Sequence, residues 1–194
     1  VSGHFMSTGD VDPASDGTSI YLQAKRCSLD YTKAPGASWS LAAVTMNGFQ
    51  YPDDFRLMAA MESGWVRYIN GNKFLFLTTM CGDFVYVVRF QPGSEVGIPT
   101  ALFWLGASGR DLAVYPGHPT WAAGDANKDR RWCWVDRNGN GKVDAGEFSE
   151  YYVGAWTSWC VDVDANGTIW YGGISSYSDH FHDGGMTKIS AGAL

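Results

Sequence analysis

Twelve consecutive residues in the last third of the chain carry oxygen donors at the spacing a calcium ion requires. The run is Asp136-Arg137-Asn138-Gly139-Asn140-Gly141-Lys142-Val143-Asp144-Ala145-Gly146-Glu147. Asp136, Asn138 and Asn140 occupy positions 1, 3 and 5 of the EF-hand loop pattern, and Gly141 at position 6 permits the sharp turn. Lys142 at position 7 offers its backbone carbonyl. Asp144 at position 9 acts directly or through a water, and Glu147 at position 12 binds through both oxygens. Val143 is apolar, as a residue turned from the ion toward a core should be. A hard cation that wants six to eight oxygens suits this set better than zinc or copper does. Asp, Asn and Gly also build ordinary turns, but turn composition alone rarely meets so many constrained positions in register. Asp125, Asn127 and Asp129 form a lesser cluster that lacks the Gly and the closing Glu.

Other residues with chemical potential are less organised. His180 and His182 would share a face of an extended strand and could meet a transition metal, although Asp and Gly around them read equally as a loop. His4 and His118 have no companions for a triad, and no Gly-x-Ser-x-Gly elbow occurs. Asp162 and Asp164 are explained by the turn Asp164-Ala165-Asn166-Gly167, and no other carboxylate pair stands out for glycoside hydrolysis. Catalytic residues are therefore unassigned.

The elements that must position the loop are strands. Trp132 and Trp134 alternate with Cys133 and Val135 at period two, so the loop is entered from β-structure, and residues 148–152 allow at most a short helical turn after it. With no second full loop, a structural clamp is expected here and not a paired sensor. Three acidic groups and two neutral Asn predict affinity of roughly 10⁻⁴ to 10⁻³ M, in the range of extracellular modules. Upstream, residues 56–61, 65–69, 73–78 and 84–90 read as four strands of an antiparallel meander, with Asn70-Gly71 a hairpin turn. Residues 131–135, 159–163, 168–171 and 185–189 read as a second meander, and Asp16-Gly17 followed by residues 18–22 reads as part of a third. Repeated four-stranded units of this kind are the sequence sign of a propeller.

Strand, Asp-Gly turn and strand, closing on Gly185-Met186-Thr187-Lys188-Ile189, resemble the secreted bacterial β-propeller proteins of the NHL and quinoprotein-like type over about residues 55–190. The resemblance implies an all-β fold, a β-propeller or propeller fragment built of four-stranded antiparallel meanders. Residues 1–194 would form a single domain, itself complete or part of a longer chain, with 136–147 inserted in a blade. Ala123-Gly124-Asp125 followed by Trp132 is similar to the tryptophan-docking repeat, but the Thr-Gly is missing and the Trp spacing differs, so no quinone cofactor is expected.

Composition bounds the partners. The 194 residues are 45% hydrophobic and 18% charged, enough for a substantial core, and a net charge of -6 without a basic cluster argues against nucleic acid. No stretch is long and apolar enough to span a membrane, and Val1-Ser2-Gly3-His4 is not a signal peptide, so the chain reads as mature or cut from something longer. Four cysteines, at 27, 81, 133 and 160, lack Cys-x-x-Cys spacing; a Cys133–Cys160 pairing and free buried thiols are both open. Trp132, Trp134, Trp159 and Trp170 are expected in the core, and Trp39, Trp104, Trp121 and Trp156 are candidates for an exposed glycan-binding surface. The leading expectation is a calcium-stabilised, non-catalytic extracellular or cell-surface propeller serving in binding or assembly, through self-association or a glycan. The alternatives are a carbohydrate-active enzyme with its site on a propeller face and a subunit of a surface filament or layer.

Overall fold

The computed structural model describes residues 9–79, 84–104, 131–151, 161–171 and 187–189. These residues form three antiparallel sheets. The first has four strands in sequence order, β1 (Gly9–Val11), β2 (Ser19–Leu22), β3 (Lys25–Leu29) and β4 (Trp39–Val44). The second is a six-stranded meander of β5 (Ser63–Ile69), β6 (Asn72–Thr78), β7 (Phe84–Phe90), β8 (Gly97–Trp104), β9 (Arg131–Val135) and β10 (Phe148–Tyr151). The third joins β11 (Val161–Val163), β12 (Ile169–Tyr171) and β13 (Thr187–Ile189). Among the described residues no helix is long and apolar enough to cross a membrane.

The second sheet departs from the expected four-stranded meander at both ends. Residues 56–61 are not a strand: the Asp54 carboxylate accepts from the Arg56 N–H at 3.0 Å and caps a 3-10 turn, Phe55–Leu57. Two strands are missing from the sequence reading: β8, which Gly97 and Pro99 disguise, and β10, where the sequence allows at most a short helical turn over residues 148–152 and the chain instead pairs with β9. Pro99 is accommodated because β9 pairs only with residues 101–104, and a bulge at Val87/Val88 adjusts the register on the β7 side. β9 therefore joins this sheet and not the C-terminal one. The β5–β6 hairpin follows the sequence, with Asn70 and Gly71 at φ 51° and 79°, the left-handed pair a tight hairpin needs.

Strict alternation gives the second sheet two buried faces. Leu75, Leu77, Phe84, Tyr86, Val88, Leu102, Trp104, Trp132 and Trp134 enter one cluster, which also takes Tyr21 from β2 and Phe55 from the linker. Phe74, Phe76, Val85, Val87, Ala101 and Phe103 enter the other, closed by Val163 and Ile169 of the third sheet. A sheet covered on both sides reads as continuous apolar runs, which is why β6, β7 and β8 show little polar alternation. Trp104, expected near the surface, is 6% exposed and stacks between Phe84 and Trp132, whereas Trp39 is half exposed. Trp121, Trp156 and Trp159 lie outside the described residues, as do His4, His118, His180 and His182.

The first strands of the three sheets meet at Arg67. From β5 its Nη1 donates to Asp10 Oδ2 on β1 at 2.6 Å, and its Nε donates to the carbonyls of Val163, which ends β11, and of Asp164 just after it, both at 2.9 Å. Asp10 Oδ2 also accepts from the Val66 N–H at 2.9 Å, so an edge of β5 is capped by a side chain where another strand would otherwise pair.

Asp12 adds a second tie between the first two sheets, accepting from Lys73 Nζ, from Tyr68 Oη at 3.1 Å and from the Ala14 N–H at 3.0 Å. Burial pushes the Asp12 carboxyl up, but the Lys73 and Ala14 hydrogen bonds with the Lys73 charge outweigh it and hold it below its ordinary 3.8. A depressed carboxyl stabilises the fold above its unfolded value, and that contribution is lost as pH falls from 3.8 through the lower folded value. The urea midpoint should drop over this interval, and drop less in Lys73→Met. Equal acid slopes for the two proteins would show that the pair carries no linkage.

Candidate metal centre

The 136–147 loop connects β9 to β10, strand to strand, at the far edge of the second sheet. It leaves β9 with the Asp136 N–H donating to the Thr100 carbonyl at 2.8 Å and folds at once around the Asp136 side chain. Asp136 Oδ1 accepts from the N–H groups of Gly139 at 2.9 Å and Asn140 at 3.1 Å, and Oδ2 accepts from Gly141 at 2.8 Å. Asn138 Oδ1 accepts from the Asn140 N–H at 3.0 Å, and Asn140 Oδ1 from the Lys142 N–H at 2.7 Å. Every donor position in the first half of the loop thus turns its oxygen inward through a local Asx hydrogen bond. Gly139 and Gly141 supply the positive φ values, 76° and 70°, that let the backbone coil so tightly.

Asp144 is drawn to the same point. Its Oδ2 accepts from Asn138 Nδ2 at 2.9 Å and from Asn140 Nδ2 at 3.0 Å, which brings positions 3, 5 and 9 together. Those two amides, Asn138 before Asn140, hold the Asp144 carboxyl below its ordinary range. Lys142 sits between them with its N–H engaged by Asn140. Glu147 ends a 3-10 turn, Ala145–Glu147, that forms a capping box with Asp144. Its carboxylate is 5% exposed as a residue and divided: Oε1 accepts from the Arg137 N–H at 2.9 Å, and Oε2 accepts from Trp134 Nε1 at 3.0 Å.

Asp136, Asn138, Asn140, Asp144 and Glu147 are therefore gathered in one turn, but the three carboxylates are not drawn to a single point. Among the described residues no three His, Cys, Asp or Glu side chains form a metal-holding group. Two of the inner donors are amides, and the carboxylates are spaced by backbone N–H groups. The donor set still fits a hard cation. Asn138 Oδ1 and Asn140 Oδ1 each accept one N–H and keep acceptor capacity, and the carboxylates of Asp136, Asp144 and Glu147 carry the charge that a cation would offset. Burial and the nearby Glu147 charge outweigh the three N–H donors and push the Asp136 carboxyl up. Such a group gains most from a cation beside it.

Three contributors to this centre are invisible to loop spacing. Trp134 orients Glu147 through its indole N–H, and a period-two reading marks it only as core. Tyr51 and Ile98 press against the turn: a Cβ on Gly141 would lie 2.6 Å from Tyr51 Cε1 and 3.0 Å from Ile98 Cγ2. Neither residue is near the loop in sequence. The second cluster, Asp125, Asn127 and Asp129, lies outside the described residues. Cys27 and Cys133 are free thiols, and Cys133 Sγ lies 3.2 Å from Ser149 Oγ across β9 and β10; Cys160, the partner considered for Cys133, lies outside the described residues, as does Cys81. Asp164 is a turn residue, accepting from the Asn166 and Thr168 N–H groups and from Trp170 Nε1.

In comparison with known proteins, no family model, no curated protein and no solved structure matches the chain.

Proposed function

We propose that this chain is a calcium-stabilised β-propeller-type module that works outside the cell in binding or assembly and not in catalysis. The observation that carries the reading is the inward folding of Asn138 and Asn140 onto Asp144, with Asp136 closed on the backbone N–H groups of residues 139–141, within a strand-to-strand loop. Asp136, Asn138, Asn140, Asp144 and Glu147 would hold the ion through side-chain oxygens, and Lys142 through its carbonyl. The ion would offset the charges of Asp136, Asp144 and Glu147 and so fix the β9–β10 connection. A site of this affinity fills where calcium is plentiful, which favours an extracellular or cell-surface setting. The propeller reading draws its support from the stacking of three successive antiparallel sheets and from the meeting of β1, β5 and β11 at Arg67. A propeller gathers the first strand of each blade in the same way around its axis.

Thermal melting with calcium and with a chelator tests the metal. At roughly 10 to 100 times Kd, calcium adds about 1.4 to 2.7 kcal/mol, and a chain of this size should melt about 3 to 10 °C higher. Glu147→Gln should abolish the shift. Identical melting in calcium and chelator would remove calcium from the account.

A further inference from the structure

The turn of the 136–147 loop is seated on the joint between the first and second sheets. Gly141 has no room for a side chain because the Tyr51 ring lies against it, with Ile98 of β8 also close. Tyr51 is 8% exposed and belongs to the segment that carries the chain from β4 to β5. That segment is folded on itself: the Asn47 carbonyl accepts from the Tyr51 N–H at 2.9 Å, and Asn47 Oδ1 accepts from the Phe49 N–H at 3.1 Å. Its start, Thr45, is fixed to both sheets. The Thr45 N–H donates to the Ala24 carbonyl, and the Thr45 carbonyl accepts from the Gly97 N–H, each at 2.8 Å. Gly97 precedes Ile98, and the Thr100 carbonyl two residues on receives the first N–H of the loop. Two short contact routes thus run from the loop to the joint, Gly141 to Tyr51 to the 47–51 turn, and Asp136 through the 97–100 segment to Thr45.

We propose that calcium occupancy of the 136–147 loop is coupled to the docking of the first sheet on the second, with Tyr51 as the coupling residue. The inference rests on the calcium reading of the loop. An ion fixes the closed turn, and the closed turn is the one that presents the bare Gly141 backbone to Tyr51. When the turn relaxes, Tyr51 loses one wall of its pocket and the linker it anchors is freed. Linkage makes the effect reciprocal: whatever loosens Tyr51 must weaken calcium binding by the same factor that calcium tightens the joint, about 5-fold or more for a typical coupling. Tyr51 is thus a positioning residue for the metal site, although it offers no ligand to it.

The test uses the full chain in two measurements. Hydrogen exchange in calcium and in chelator should slow at residues 45–57 as well as 136–147, and slow there by more than in the core strand β7, which reports global stability alone. Calorimetric titration with calcium should show about 5-fold or more weaker binding for Tyr51→Ala and near-normal binding for Tyr51→Phe, which keeps the ring. Tyr31→Ser, on an exposed residue away from the joint, should bind as the wild type does. Exchange protection confined to 136–147, or unchanged affinity in folded Tyr51→Ala, would overturn the coupling while leaving the calcium site intact. Absence of any calcium heat in the wild type would instead overturn the calcium reading and the coupling with it. The exchange result on the wild type decides the coupling even where Tyr51→Ala fails to fold.

Discussion

Arg56→Met should destabilise the protein by about 3 to 5 kcal/mol, the cost of leaving a buried carboxylate without its partner. Arg56 and Asp54 side chains are 1% and 0% exposed, and their closest approach is 2.6 Å. Asp54 Oδ1 also accepts from Tyr86 Oη at 3.1 Å, and Arg56 Nη1 donates to Thr45 Oγ1 at 3.0 Å with Nη2 reaching the Gly97 carbonyl at 3.3 Å. One ion pair therefore ties the end of β4, the linker, β7 and the start of β8. Met matches the aliphatic stem but donates nothing, so the buried Asp54 side chain loses its charged partner. Asp54→Leu combined with Arg56→Met removes both charges and should be less destabilised than Arg56→Met alone, as buried pairs generally behave. Urea unfolding of the two single variants and the double variant checks the ordering. Additive losses would mean that the pair acts as two independent groups.

The same ion pair marks where sequence reading ended. Arg56-Leu57-Met58-Ala59-Ala60-Met61 is apolar after its first residue and sits before a clear strand, so it reads as a strand itself. What breaks that reading is Asp54, whose side chain caps the turn and is buried with Arg56 against Tyr86, Thr45 and the Gly97 carbonyl, tertiary contacts that propensity does not record. Local signals fared better where the chemistry is local. Asn70-Gly71 fixes its hairpin through backbone freedom alone, and Asp164 to Gly167 closes its turn through an Asx bond to the Thr168 N–H.

The calcium loop falls on the same side of that divide. Its Asx turns are contacts two to five residues apart, so the spacing of Asp136, Asn138, Asn140 and Gly141 already contains the inward fold. Tyr51 and Ile98 reach the loop from distant elements, and no pattern within one segment announces them. Assignment of β9 to the second sheet was hidden for a related reason. Its Trp-Cys-Trp alternation is a sound strand signal, but strand partners depend on register across the chain, and β8 was itself masked by Gly97 and Pro99.

A pair of neighbouring residues in β6 tests whether the central sheet is clamped from both sides. Phe76 and Leu77 are consecutive and fully buried, yet they belong to opposite clusters. Leu77 lies in the cluster closed by Phe55 and Tyr21 from the linker and first sheet. Phe76 lies in the cluster closed by Val163 and Ile169 of the third sheet. Truncating a side chain in a packed core costs its transfer free energy and the cavity it leaves, about 2 to 5 kcal/mol for Leu→Ala and 3 to 5 for Phe→Ala. Both variants should therefore lose stability on that scale, whereas Leu41→Ala, on a residue 54% exposed in β4, should change it by less than about 0.5 kcal/mol. The contrast within β6 is the informative part. If the third sheet did not close the Phe76 face, the face would be open to water and Phe76→Ala would cost little, while Leu77→Ala would remain expensive. Comparable losses from the two neighbours, read from urea midpoints at constant m-value, mean that both faces of the second sheet are buried, one against Tyr21 and Phe55 and the other against Val163 and Ile169.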